Sequence, residues 1–160
     1  MAHTNSDYYI KELTSSRAEL LSVIQQVSDE DFHRPQSFNQ WSLKDLLSHF
    51  ITWDEVTIRC VKMVLAGKAH KIPIPKTEEV DGINAQAVDK RRHFTREQIL
   101  ADLNQVRQEL IAQVRQLTDE QINDETAPFP LKQWLPLVYR HELDSHLPKI
   151  RAWAASISKK

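Results

Sequence analysis

Cysteine is nearly missing from this chain of 160 residues, where Cys60 stands alone. An intrachain disulfide is thereby excluded, and a reducing cytoplasm is the expected location. Glycine is almost as scarce, with only Gly67 and Gly82. An all-β fold needs many tight turns, so this scarcity argues for long helices instead. Net charge is lacking too. Twenty-one Lys and Arg face 22 Asp and Glu, for a formal charge of -1. No long-range field therefore draws in nucleic acid or an anionic membrane. No apolar run approaches the ~20 residues that span a bilayer. The polar start MAHTNSDYYIKEL has no apolar signal core. What the chain does have is a hydrophobic share of 41%, enough for the core of one domain over residues 1–160.

The apolar residues recur at helical spacing in four segments. The first covers residues 6–27, with Ile10, Leu13, Leu20, Ile24 and Val27 on one face. The second begins at Ser42, an N-cap with Asp45 three residues on, and runs to about residue 66. Gly67 then supplies the stop. Pro73 and Pro75 forbid a helix, so KIPIPKTEEV reads as an extended crossover. A short helical piece is expected over about residues 82–92. The third long segment opens on a Thr95–Gln98 capping box. It carries Ile99, Leu103, Val106, Leu110, Val114 and Leu117 as one seam. The fourth runs from about residue 135 to 157. The pattern predicts an all-α four-helix bundle with a long crossover between the second and third helices.

Several ionisable residues conflict with this pattern. Each residue advances a helix by ~100°. In WLPLVYRHELDSHLPKIRAW, residues 134–153, Leu135, Val138, Tyr139, His146, Ile150 and Trp153 lie within about 80° of Glu142. His141 falls about 100° away, on the flank. Glu142 and His146 thus occupy the middle of the apolar stripe. His49 has the same position on the second helix, among Leu46, Trp53, Val56, Cys60 and Val64. The third helix shows nothing titratable in its seam, and the first only Arg17 near its own. A carboxylate in a core needs a partner. Two are open to Glu142: a divalent cation shared with His49 and His146, or an ion pair with Arg17 or Lys149. Two imidazoles and a carboxylate suit zinc, nickel or iron. Three protein ligands leave a position for water or substrate.

The stretch QWSLKDLLSHFITWDE, residues 40–55, resembles the hallmark motif of the DinB-like superfamily of metal-binding four-helix bundles. HELDSHLPKIRAW and VDGINAQAVDKRRHFTREQILADLNQVRQEL are similar to later parts of the same superfamily, so the likeness spans nearly the whole chain. The resemblance implies a three-ligand metal site. Many members use three histidines, and relatives of mycothiol-dependent maleylpyruvate isomerase use His, Glu and His. Carried over by position, the ligands are His49, Glu142 and His146. The implied function is a metal-dependent enzyme, with zinc or nickel, acting on a small electrophilic molecule. It would work as a transferase using a low-molecular-weight thiol, or as a hydrolase. A branch resembling the colibactin self-protection protein keeps the fold without depending on the metal. It supplies the alternative, a metal-independent small-molecule-binding or self-protection protein. A homodimer is the assembly the resemblance implies.

Other residues have plainer readings. Trp53 and Trp134 are placed at a pocket mouth, and Trp41 in packing. Asn84 is placed at the rim, and Asp81 at a helix cap. Arg91, Arg92 and His93 read as a solvated helix end. Cys60 reads as a small core residue with no group beside it to stabilise a thiolate. Tyr139 reads as a packed aromatic with a wet hydroxyl. Pro148 removes the hydrogen bond to the Asp144 carbonyl and should loosen the turn after His146.

Overall fold

The structure, a computed structural model, describes residues 5–158. Residues 1–4 of the polar start lie outside the described residues. Helix starts are set by side chains that capture free backbone N–H groups. Asn5 accepts from Tyr8 N and opens α1 (Ser6–Ile24), and Ser28 accepts from Asp31 N to open the short α2 (Asp29–Phe32). Ser42 and Asp45 form the expected reciprocal capping box, both bonds 3.1 Å, at the head of α3 (Leu43–Leu65). Gly67, at φ +75°, ends that run in a conformation other residues adopt only under strain. Thr95 and Gln98 do the same for α5 (Arg96–Arg115), after α4 (Thr77–Lys90) has intervened.

The crossover between α3 and α5 is less extended than Pro73 and Pro75 suggest. α4 starts at once beyond Pro75, five residues before the expected Gly82, because the Lys76 N–H finds Glu79 Oε2 at 3.3 Å. The short α6 (Asp119–Ile122) is capped by Thr118. The last rod begins at Leu131, four residues earlier than its periodicity predicts, since Leu131 and Trp134 also bury against the core. It consists of α7 (Leu131–Arg140), a π-helical turn (His141–His146) and α8 (Leu147–Ser158).

The long helices α1, α3, α5 and the α7–α8 rod make a four-helix bundle, and α4 lies along α3. Among the described residues there is no β-strand, only an isolated bridge between Phe38 and Trp41. Leu13 and Leu20 of α1, Leu47 and Val61 of α3, Leu103 and Leu110 of α5, and Leu135 and Ile150 of the last rod close the interior. Each such side chain contributes roughly 1.5–3 kcal/mol on burial. No helix is long and apolar enough to cross a membrane, among the described residues.

The π-helical turn has a local cause. Pro148 has no N–H to give, and its ring crowds the carbonyl four residues back. The chain widens just before it, and the Leu147 N–H bonds to Glu142 O, five residues back rather than four. Pro148 therefore acts on the turn before His146 and not, as the sequence suggests, on the one after it.

Candidate metal centre

The widened turn changes which side chains share a face. In an α-helix His141 would sit on the flank of the stripe. A π-turn brings residues five apart into line, and His141 and His146 are its two ends. Their Nε2 atoms approach to 2.8 Å. His49, from the second turn of α3, brings its own Nε2 to 3.4 Å from that of His141. The three rings offer nitrogens that all lie within 4.8 Å of one another.

His49 is oriented from behind. Its Nδ1 lies 2.8 Å from Asn84 Oδ1 on α4, and the same oxygen takes the Trp53 Nε1–H at 2.8 Å. An indole nitrogen only donates, so the shared Asn84 atom must be the acceptor. His49 Nδ1 then carries the proton, and its Nε2 presents a lone pair to the cluster. Asn84, expected at the pocket rim, thus holds the imidazole in one tautomer, as an outer partner does for a metal ligand. Burial is the main force keeping the rings uncharged. It lowers His49 and His146 to about 4 and pushes His141 down as well. At neutral pH the site offers three neutral imidazoles.

These residues fit a divalent cation. Two nitrogens each about 2.1 Å from one ion stand roughly 3.0–3.5 Å apart at ordinary coordination angles, and the observed spacings of 2.8 and 3.4 Å lie close to that range. Imidazole is a common donor for zinc, copper, nickel and iron.

Glu142 lies on the dry side, as its place in the helix predicts, but its nearest charges are arginines. Its Oε1 accepts from Arg17 Nη2 and Arg107 Nη2, both at 2.7 Å. Of the two partners open to it in sequence, the structure supplies the ion pair with Arg17. Asp54 completes the set. Its Oδ2 accepts from Arg17 Nη2 at 3.0 Å and Arg107 Nε at 2.8 Å, and its Oδ1 from Arg107 Nη2 at 3.0 Å. Two guanidiniums and two carboxylates therefore balance inside the bundle, all almost fully buried. Arg107 also donates to Leu13 O and Ser16 Oγ, and Arg17 to Leu103 O. Burial alone would depress the Arg107 pKa; Asp54 and then Glu142 reverse this and hold the group charged. The expectation that the third long helix has nothing titratable in its seam is thus corrected. Arg107 sits four residues after Leu103 and three before Leu110, in the seam itself. That spacing was the available signal.

A cavity of about 400 Å³ opens beside the cluster. His49, His141, Glu142 and Asp54 line its base, and Trp53, Phe129, Trp134 and Val138 contribute apolar wall. Trp53 and Trp134 are therefore where the sequence placed them. On the other side, a second cavity of about 440 Å³ is lined by Trp41, His146, Lys149 and Trp153. Trp41 is more than a packing residue, since it forms part of this wall and its ring lies tilted against His49, with centroids 5.3 Å apart.

The remaining candidates separate cleanly. Arg91 is not a solvated helix end. It is buried, with Nη2 2.8 Å from Glu55 Oε1 and Nε 3.6 Å from Asp102 Oδ2. Asp81 lies inside α4 rather than at its cap. Cys60 is buried and its thiol is pushed up by burial, which keeps it unreactive. Tyr139 is buried as well, and burial followed by hydrogen bonding to Tyr8 pushes its phenol up.

Comparison with known proteins gives two kinds of likeness. A family model described as the DinB superfamily matches residues 12–146, a span that includes all three histidines. The fold is similar to the crystal structure of an uncharacterised protein from Escherichia coli UTI89. The TM-score is 0.78 at 14% identity, covering 96% of this chain and 95% of that one. It is similar also to a protein described as "Sibling Lethal Factor Precursor - DfsB", with a TM-score of 0.71 at 12% identity, covering 98% and 94%. At such identities the likeness concerns the fold alone. No curated protein matches the sequence.

Proposed function

The chain belongs to the DinB superfamily, and from that premise we propose a metal-dependent enzyme in which His49, His141 and His146 hold one divalent cation, zinc or nickel. The observation that carries this reading is the convergence of three neutral imidazole nitrogens within 4.8 Å. With three protein ligands, a bound ion keeps an open position and supplies Lewis-acid chemistry there. The protein's own residues do the rest. Asn84 fixes the His49 ring, while Trp53, Phe129 and Trp134 exclude water from the cavity that receives a small electrophilic substrate. On the far side, Lys149 offers a cation and Trp41 and Trp153 offer aromatic faces. That pairing suits an anionic low-molecular-weight thiol and favours a thiol-dependent transferase over a hydrolase.

Titrating chelator-stripped protein with zinc tests the reading. Wild type is expected to take up one ion per chain, and His49→Ala to take up none while keeping its helical circular dichroism. Unchanged uptake in His49→Ala would sink it. The 2.8 Å contact between His141 and His146 is also an ordinary hydrogen-bond length. It favours, as the second reading, a metal-independent small-molecule-binding or self-protection protein, marked by activity that survives complete chelation.

A further inference from the structure

The polar atoms lining the 400 Å³ cavity are nearly all engaged. Both Asp54 oxygens accept from arginines. Thr57 Oγ1 accepts from Trp134 Nε1 at 2.9 Å and donates to Trp53 O at 2.7 Å. Trp53 Nε1 is held by Asn84, and the Nε2 atoms of His49 and His141 meet in the cluster. Three buried side-chain polar atoms among the described residues lack a hydrogen-bond partner: Arg17 Nε, Arg91 Nε and Glu142 Oε2. Of these, only Glu142 belongs to a residue lining this cavity. Its other oxygen is fully committed, taking two guanidinium hydrogen bonds. The side chain is 3% exposed, so bulk water does not serve the free oxygen. A buried charged acceptor left unpaired is costly, and such atoms are rare in native folds.

We propose that Glu142 Oε2 is the polar anchor of this cavity, and that the molecule bound there is a small, largely apolar compound carrying an N–H or O–H donor. The apolar walls select the body of the ligand; the buried Oε2 selects the donor and fixes its orientation. A ligand carrying only acceptors gains nothing here and leaves Oε2 unpaired. The inference narrows the substrate class of the reading above. It rests on that cavity being the binding site, and not on the cation.

Indole and benzofuran make the test. They have the same shape, but only indole donates, and partition out of water alone favours benzofuran. Calorimetric titration of the wild-type protein, with and without chelator, is expected to show indole binding roughly 10- to 100-fold tighter. In Glu142→Gln the amide oxygen can take the arginine bonds, and the NH₂ group replaces Oε2. The indole preference should then collapse or invert, with circular dichroism checking that the variant is folded. The wild-type comparison needs no variant and stands alone if this one fails to fold. Equal affinities, tighter benzofuran, or no saturable binding of either probe would overturn the proposal. A preference that vanishes on chelation would also overturn it, by moving the donor to the histidine centre, while leaving the metal reading intact. A preference that persists in a protein unable to bind zinc would support it and leave the metal reading to fall alone.

Discussion

In His141→Ala, zinc affinity is expected to fall further than the roughly 10- to 100-fold that loss of an outer partner costs. In Glu142→Gln it should stay near the wild-type value. The contrast follows from geometry. His141 Nε2 lies between its two neighbours, 3.4 Å from His49 and 2.8 Å from His146, so removing it leaves the other two rings without their common member. Glu142 stands one residue away, but its Oε1 is bound to Arg17 and Arg107, and it is outside the converging set. Competition titration against a chromophoric chelator reads both variants on one scale. A Glu142→Gln protein that loses zinc while His141→Ala keeps it would restore the set read from sequence, His49, Glu142 and His146.

Arg107→Met is expected to cost about 3–5 kcal/mol of folding stability, since it leaves buried charge uncompensated. That is a large part of the roughly 5–15 kcal/mol by which a domain is stable. Arg107 reaches three other elements of the fold from one guanidinium: Leu13 and Ser16 on α1, Asp54 on α3 and Glu142 in the π-turn. Its removal leaves Asp54 and Glu142 with only Arg17 between them. Urea unfolding measures the loss, and a change of less than about 1 kcal/mol, typical of an ordinary substitution, would contradict it. Replacing all four charged residues by apolar ones of similar volume is expected to be near neutral or stabilising by roughly 1–4 kcal/mol. A network that well-packed apolar residues could replace is better explained by what it positions. Here it holds Glu142 at the base of the cavity with one oxygen free.

The fold was legible because its signals are local. Ser42 with Asp45, and Thr95 with Gln98, mark helix starts through bonds made within one turn. The seam Ile99–Leu103–Val106–Leu110–Val114–Leu117 needs only a period, and all six residues are buried. Two of the three clustered histidines were legible by the same means, since the α-helical period puts His49 and His146 on apolar faces, although His146 closes the π-turn. His141 was not, because its placement depends on a change of period. An angle of about 100° per residue fails where the ladder widens to bonds five residues long. Pro148 and the five-residue spacing of the two histidines were the clues, and both are visible in HELDSHLP. Arg107 was overlooked for a different reason. A long basic side chain near a seam is usually assumed to reach water, whereas here two carboxylates from distant parts of the chain keep it inside. No local pattern announces a pairing between α5, α3 and the last rod.

The most direct measurement is the metal content of untagged protein purified without chelator or added metal. Elemental analysis is expected to find close to one divalent ion per chain, zinc or nickel. Protein that carries no stoichiometric metal, and that takes up none when zinc is supplied at neutral pH, would contradict a metal centre at His49, His141 and His146.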